Sequence, residues 1–170
     1  VDPRDLDGIE IVTGGWSPVG RLFFAQNLAL WESWLDAGAR ITPVGGSDDH
    51  EGGQGSGATY SPLASPTTRI FARELSVEAL QEGLQAGRTM VQLQGAGDPL
   101  LELSMDAGTG AEPASEDALP DTVAWTATVT GGTEVPAVGA DLLWIVDGLE
   151  VARVPVTSDP VVVSNTPPTL

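Results

Sequence analysis

Ile41-Thr42-Pro43-Val44-Gly45-Gly46-Ser47-Asp48-Asp49-His50 decides how this chain is read, because an apolar, strand-like run closes here on two acids and the single histidine. With Ile41 to Val44 extended, a side-chain period of two puts Asp48 and His50 on one face, where a carboxylate and an imidazole can grip the same metal ion. Two ligands make an incomplete site. Zinc hydrolases use three protein ligands or more, so the rest must come from elsewhere in the chain, from another chain, or from a part outside these 170 residues. On the residues alone, a solvated carboxylate beside a hydrogen-bonding histidine is the simpler alternative. Asp49 falls on the opposite face, suited to capping a turn or to accepting a hydrogen bond from His50 behind the metal. Glu51 is read as solvated.

Outward from this stretch, the pattern alternates strand and helix. Gly8 to Val12 reads as a short strand, and Gly14-Gly15 with Ser17-Pro18 as a loop. The spacing of Phe24, Leu28, Trp31 and Leu35 predicts a helix from about Arg21 to Ala37, with Gly38 where a left-handed cap is wanted. After the strand at Ile41 to Val44, a glycine-rich loop from Gly45 to about Pro66 suits a site rim or a lid. Ser76 as N-cap, Glu78 in the first turn, the stripe Val77, Leu80, Leu84, and Gly87 at the exit predict a second helix; Thr89 to Leu93 resume a strand. Two such units imply a parallel sheet with helices outside it, and ligand groups at strand C-terminal ends.

Beyond residue 97 the character changes. Residues 1 to 97 hold 12 acids and six arginines, whereas residues 98 to 170 hold 12 acids and one arginine among short β-like runs, which implies two domains. Val123, Trp125, Ala127 and Val129 alternate with Thr122, Thr126 and Thr128 as in a half-buried strand, and Leu142 to Val146, Asp147-Gly148 and Leu149 to Val156 spell a hairpin. Val161 to Val163 adds a strand, and Asn165 to Leu170 looks like a linker. A small β-sandwich is the expectation, with Trp125 and Trp144 filling its core.

The chain has no lysine and no cysteine, and its formal charge is −17. Such a field repels nucleic acid and anionic membrane surfaces, and no apolar run reaches membrane-span length. Thiol catalysis, zinc ribbons and disulfide frameworks are excluded. The compartment is open, with an extracellular or periplasmic one the nearer expectation. Three other groups bear on function. Glu10 sits in an apolar strand, where it either pairs with an arginine, the favoured reading, or faces the mouth of a barrel. Arg69 and Arg73 are read two strand turns apart on one face, where either can hold a substrate anion through bidentate hydrogen bonds, surface placement being the commoner fate. Arg88 suits a helix C-terminus.

Asp7-Gly8-Ile9-Glu10-Ile11, then Trp31 to Ile41, Gly45 to His50, Thr67 to Phe71 and Leu75 to Val91 together resemble the C-terminal part of a PHP domain, the polymerase-and-histidinol-phosphatase class of metal-dependent phosphoesterases. The chain is most similar to the CehA/McbA-type metallohydrolases, over roughly residues 5 to 97. The resemblance implies an α/β fold made of the last β/α units of a distorted seven-stranded barrel, followed by an all-β sandwich. It implies divalent metals (zinc, manganese or iron), with Asp48 and His50 as ligands from the last barrel strand; Asp49, Glu10 and Arg69, on their own positions and chemistry, are the candidates for a supporting or substrate-facing role. The family's N-terminal His-x-His pair, further histidines and glutamate have no counterpart here, so the implied site is incomplete and the fragment inactive alone. A small anionic or ester substrate is expected for the intact protein, together with association with the missing N-terminal part or with a second copy. The rival expectation is a non-catalytic binding or spacer module of a larger, cell-surface protein.

Overall fold

The computed structural model describes residues 2–14, 18–54, 62–106, 124–146 and 148–165. The chain divides into two compact units, Val1–Gly97 and Asp98–Leu170. Helices and strands are mixed in the first, and small antiparallel sheets make up the described part of the second. Gly15 and Ser17, residues 55–61 of the glycine-rich loop, Thr122, Val123, Asp147 and the linker-like residues 166–170 lie outside the described residues.

In the first unit, β1 (Gly8–Thr13) and β2 (Thr42–Gly46) run parallel, from Gly8 opposite Thr42 to Thr13 opposite Gly46, with a bulge between Glu10 and Val12. Helix α1 (Pro18–Asp36) connects them. It ends because Gly38 adopts φ +81°, which lets its N–H donate to Leu35 O at 2.8 Å and the Ala39 N–H donate to Trp34 O at 2.9 Å. Those two bonds satisfy carbonyls that a helix end otherwise leaves bare. Trp31, on the inward stripe, donates from Nε1 to Ile41 O at 2.8 Å and so fixes the helix against the entry of β2.

Helix α2 (Val77–Gln85) starts where Ser76 Oγ accepts from the Ala79 N–H at 3.2 Å. It stops by the same device as α1, with Gly87 at φ +67°, its N–H donating to Leu84 O and the Arg88 N–H to Gly83 O. The flanking strands β3 (Thr67–Ile70) and β4 (Thr89–Gln92) are antiparallel, where the sequence pattern predicts a parallel unit. The reason lies in that helix exit. The turn at Gly87 places Arg88 beside Phe71, whose N–H donates to Arg88 O at 2.9 Å, so the chain re-enters next to where it left and α2 is an insertion in a hairpin. Gly83 makes this close approach feasible: a Cβ there would lie 2.7 Å from Ile70 Cγ2 and 3.1 Å from Phe71 O.

The second edge of β2 is met by side chains. Thr68 Oγ1 accepts from the Gly45 N–H at 2.7 Å and donates to Gly45 O at 2.8 Å, and Thr89 Oγ1 donates to Pro43 O at 3.0 Å. Buried Thr42 donates to Leu84 O at 2.6 Å, joining the strand to the end of α2. Gly45 has no room for a side chain, since a Cβ would stand 2.7 Å from Val12 Cγ1 and 2.9 Å from Val91 Cγ1. Ile11, Val12, Ala39, Ile41 and Ala79 are buried in this unit.

The second unit has a three-stranded sheet in the order β5 (Leu100–Asp106), β6 (Ala124–Thr130), β9 (Val161–Asn165), and a hairpin of β7 (Asp141–Val146) with β8 (Leu149–Pro155). Ala127 and Val129 are buried as their alternation requires, and Val129, Ala137 and Val156 form a cluster on which Leu142 and Val161 pack. Strand β5 has no counterpart in the sequence reading above, although Leu101 and Leu103 fall opposite Val129 and Ala127 on one face. Trp144 is half-buried, and its Nε1 has no hydrogen-bond partner. Arg153 Nε and Nη2 grip both oxygens of Glu150 at 3.0 and 2.7 Å, while Nη1 reaches Asp141 at 2.9 Å.

Replacing Gly83 with Ala improves helix propensity by up to about 1 kcal/mol, but the contacts at Ile70 and Phe71 impose a larger packing cost; a net destabilisation of about 1 to 2 kcal/mol in urea unfolding is expected. The Arg153 guanidinium holds the Glu150 carboxyl below its ordinary 4.5. A depressed carboxyl stabilises the fold above that value and loses its contribution as pH falls through the folded one. Urea midpoints of the wild type and Glu150→Gln should therefore differ by a constant amount well above pH 4.5 and converge in more acidic solution.

Candidate functional site

Strand β2 ends at Gly46, and the chain then turns instead of continuing extended. Asp48 has φ +51°, a left-handed conformation that an aspartate tolerates better than most residues. This corrects the geometry expected from a strand period of two. The two side chains do meet, but across a turn: His50 Nε2 lies 2.8 Å from Asp48 Oδ1. Both are open to solvent, with 83% of the His50 side chain and 62% of the Asp48 side chain exposed.

Asp49 holds the turn in shape. Its Oδ1 accepts from the Glu51 N–H at 3.2 Å and its Oδ2 from the Gly53 N–H at 2.5 Å. This is the turn-capping role open to it in the sequence, and it commits both carboxylate oxygens to backbone. Gly52 and Gly53 follow at φ +63° and +76°, conformations that cost glycine little.

Glu10 is exposed on β1, and its Oε1 lies 2.7 Å from where a Cβ on Gly46 would stand. Its carboxylate thus occupies the space that a glycine leaves at the end of β2, at the strand end that carries Asp48 and His50. Among the described residues, no group of three or more His, Asp or Glu side chains converges closely enough to hold a metal ion. The fit to a divalent metal is therefore that of a pair. On tetrahedral zinc with bonds of about 2.0 to 2.1 Å, two donors stand about 3.3 Å apart. The observed separation of 2.8 Å is that of a hydrogen bond, so holding an ion would require both side chains to turn toward a common point and the proton between them to leave.

The arginines serve the scaffold. Arg69 donates from Nε to Gln92 Oε1 at 2.5 Å and from Nη2 to Ala96 O at 3.2 Å. Gln92 is among the most buried side chains, 2% exposed, so the guanidinium satisfies a polar group inside the unit. Arg73 does not share a strand face with Arg69, because β3 ends at Ile70; it lies 3.9 Å from Glu82. Arg88 donates to Phe71 O and Glu82 near the end of α2, as a cation there should. A cleft of about 280 Å³ involves Gly8, Thr42, Val44 and Leu84. Gly8 and Thr42 begin their strands, so this cleft lies away from the strand ends that carry Asp48 and His50.

Sequence alone does not show the fastening of the site loop by Thr68, and although it offers Asp49 as a turn cap it does not name Gly53 as the second partner. The signal for the second was present in the Asp-x-x-x-Gly spacing. Arg69→Leu removes the donor to a buried carbonyl oxygen and should destabilise the chain by about 2 kcal/mol in chemical unfolding. If Arg69 served substrate alone, stability would be unchanged.

No family model, no curated protein and no solved structure matches this chain, and the site is accordingly read from its own geometry.

Proposed function

We propose that the first unit is the C-terminal part of a PHP-type metal-dependent hydrolase, with Asp48 and His50 as two of its metal ligands and the second unit an appended β-sandwich. The observation that carries this reading is the 2.8 Å approach of Asp48 Oδ1 to His50 Nε2 on an exposed turn directly after a parallel strand. Strand C-terminal ends are where open and closed β/α sheets place ligand groups. Further support comes from surfaces that a larger body would cover. Among the described strands, β1 pairs with β2 alone, and α1 carries exposed Leu22, Phe23 and Leu30.

A divalent ion bound there would lower the pKa of a water and polarise a phosphoryl or carbonyl oxygen. The chain's own residues do the holding. Asp48 Oδ1 and His50 Nε2 would face the ion, Asp49 fixes the turn that brings the two together, and Glu10 sets negative charge at the strand end. A phosphoester is the first substrate class, a carbamate or another ester the second. Arg69 is bound to Gln92 and Ala96, which gives it a place in the scaffold.

The second reading is a non-catalytic module, favoured by the solvent exposure of both candidate ligands and by the lack of a third converging donor among the described residues. Elemental analysis separates the two. A chain extended upstream of Val1 should carry near-stoichiometric zinc, manganese or iron, and His50→Ala should lose most of it. An extended chain without metal, or one whose metal content is indifferent to His50→Ala, would support the module.

A further inference from the structure

Contacts inside the first unit join the turn bearing Asp48 and His50 to the segment by which the chain leaves that unit. Asp49 clasps the Gly53 N–H, and Gly53 is covered by Leu63, whose Cδ1 lies 3.4 Å from the position of a Gly53 Cβ. Leu63 leads into Ala64, held at φ +61°, and Ser65. Ser65 Oγ donates to Gln94 O, and Gly95, at φ +138°, approaches Ala64 O so closely that a Cβ would stand 3.0 Å from it. A second line runs from Gly45 through the Thr68 hydroxyl to neighbouring Arg69, which donates to Ala96 O at 3.2 Å. Residues 94–96 are therefore fastened at three points to Ala64, Ser65 and Arg69, where the loop that carries the candidate ligands returns to β3, and through the Thr68 hydroxyl to Gly45, where that loop begins.

From this we infer that the Asp48–His50 turn and the exit segment 94–96 form one conformational element, so that ordering or loosening either is transmitted to the other. The chemical basis is that the links at Gly53, Gln94 and Ala96 are hydrogen bonds and that at Gly95 a close backbone approach, while Leu63 lies beside Gly53. The approach of Gly95 to Ala64 O is made with Ala64 in a left-handed backbone, and Leu63 lies beside Gly53 in the turn that Asp49 holds. Coupling of this kind is reciprocal. If a divalent ion binds the turn and stiffens it, the exit segment becomes more protected, and variants that free the exit segment weaken the ion's binding by the corresponding factor. The metal effect rests on the proposed function above; the mechanical coupling does not.

Hydrogen–deuterium exchange on the full chain, without metal, tests the coupling from both ends. Asp49→Ala should speed exchange about fivefold to tenfold in peptides covering 93–98 as well as in those covering 51–54, and Ser65→Ala should do the same in the reverse direction. Peptides from β1 and α1, in the same unit and outside both segments, report whether either variant has unfolded that unit as a whole. A change confined to the mutated side, in both variants, overturns the inference, and so does a change in neither. Zinc added to the wild type is a separate arm. Protection of 47–54 without protection of 93–98 would remove the coupling; no protection anywhere would show that the two ligands of this chain do not hold zinc by themselves, while the two variants still decide the coupling.

Discussion

The first unit depends on how β2 satisfies its second edge. A strand has two rows of backbone donors and acceptors, and leaving one row buried and unpaired costs about 1 to 3 kcal/mol per group. In Thr42–Gly46 one row pairs with β1, while on the other side Thr68 exchanges two hydrogen bonds with Gly45 and Thr89 donates to Pro43 O. Three things follow from that arrangement. The β3–β4 hairpin is bound to β2 without a backbone ladder, α2 is tied to the strand by Thr42 and Leu84 O, and the strand must carry glycine at 45, because Val12 and Val91 already fill the space of a side chain.

The candidate site inherits its position from this strand. Gly46 lets the Glu10 carboxylate lie against the end of β2, and the left-handed Asp48 then bends the chain so that His50 folds back onto it. Asp49 has its oxygens committed to the turn, which leaves Asp48 and His50 as the exposed pair. Exposure keeps the pair accessible but gives it little help from low dielectric, so a bound cation would need further donors to be held tightly. The strongly acidic charge of the chain, −17, adds a long-range attraction for cations that salt screens.

Among the described residues of the second unit, little core is seen. Its buried cluster is small, and the hairpin β7–β8 is reinforced at the surface by the Arg153 fork on Glu150 and Asp141, where bidentate geometry gives direction as well as attraction. Asp159 ties the loop at Gly131 to the entry of β9 by accepting its N–H at 2.9 Å. These are local devices, and each acts between residues that the strand register has already brought together.

The sequence by itself determined the local elements. Both helix exits were legible because a glycine at 38 and at 87 is what a left-handed cap requires, the start of α2 was legible in Ser76 and Glu78, and the burial of Ala127 and Val129 followed from alternation. The pairing of Asp48 with His50 was also legible, although its cause was not, since a spacing of two is compatible with a strand face and with a turn. Only the tertiary structure decided the antiparallel return of β4, the fate of Arg69, and the closing of β2 by threonine hydroxyls. The physical reason is common to all three. Each depends on which backbone group of a distant segment lies within hydrogen-bond reach, and residue type and periodicity carry no information about that.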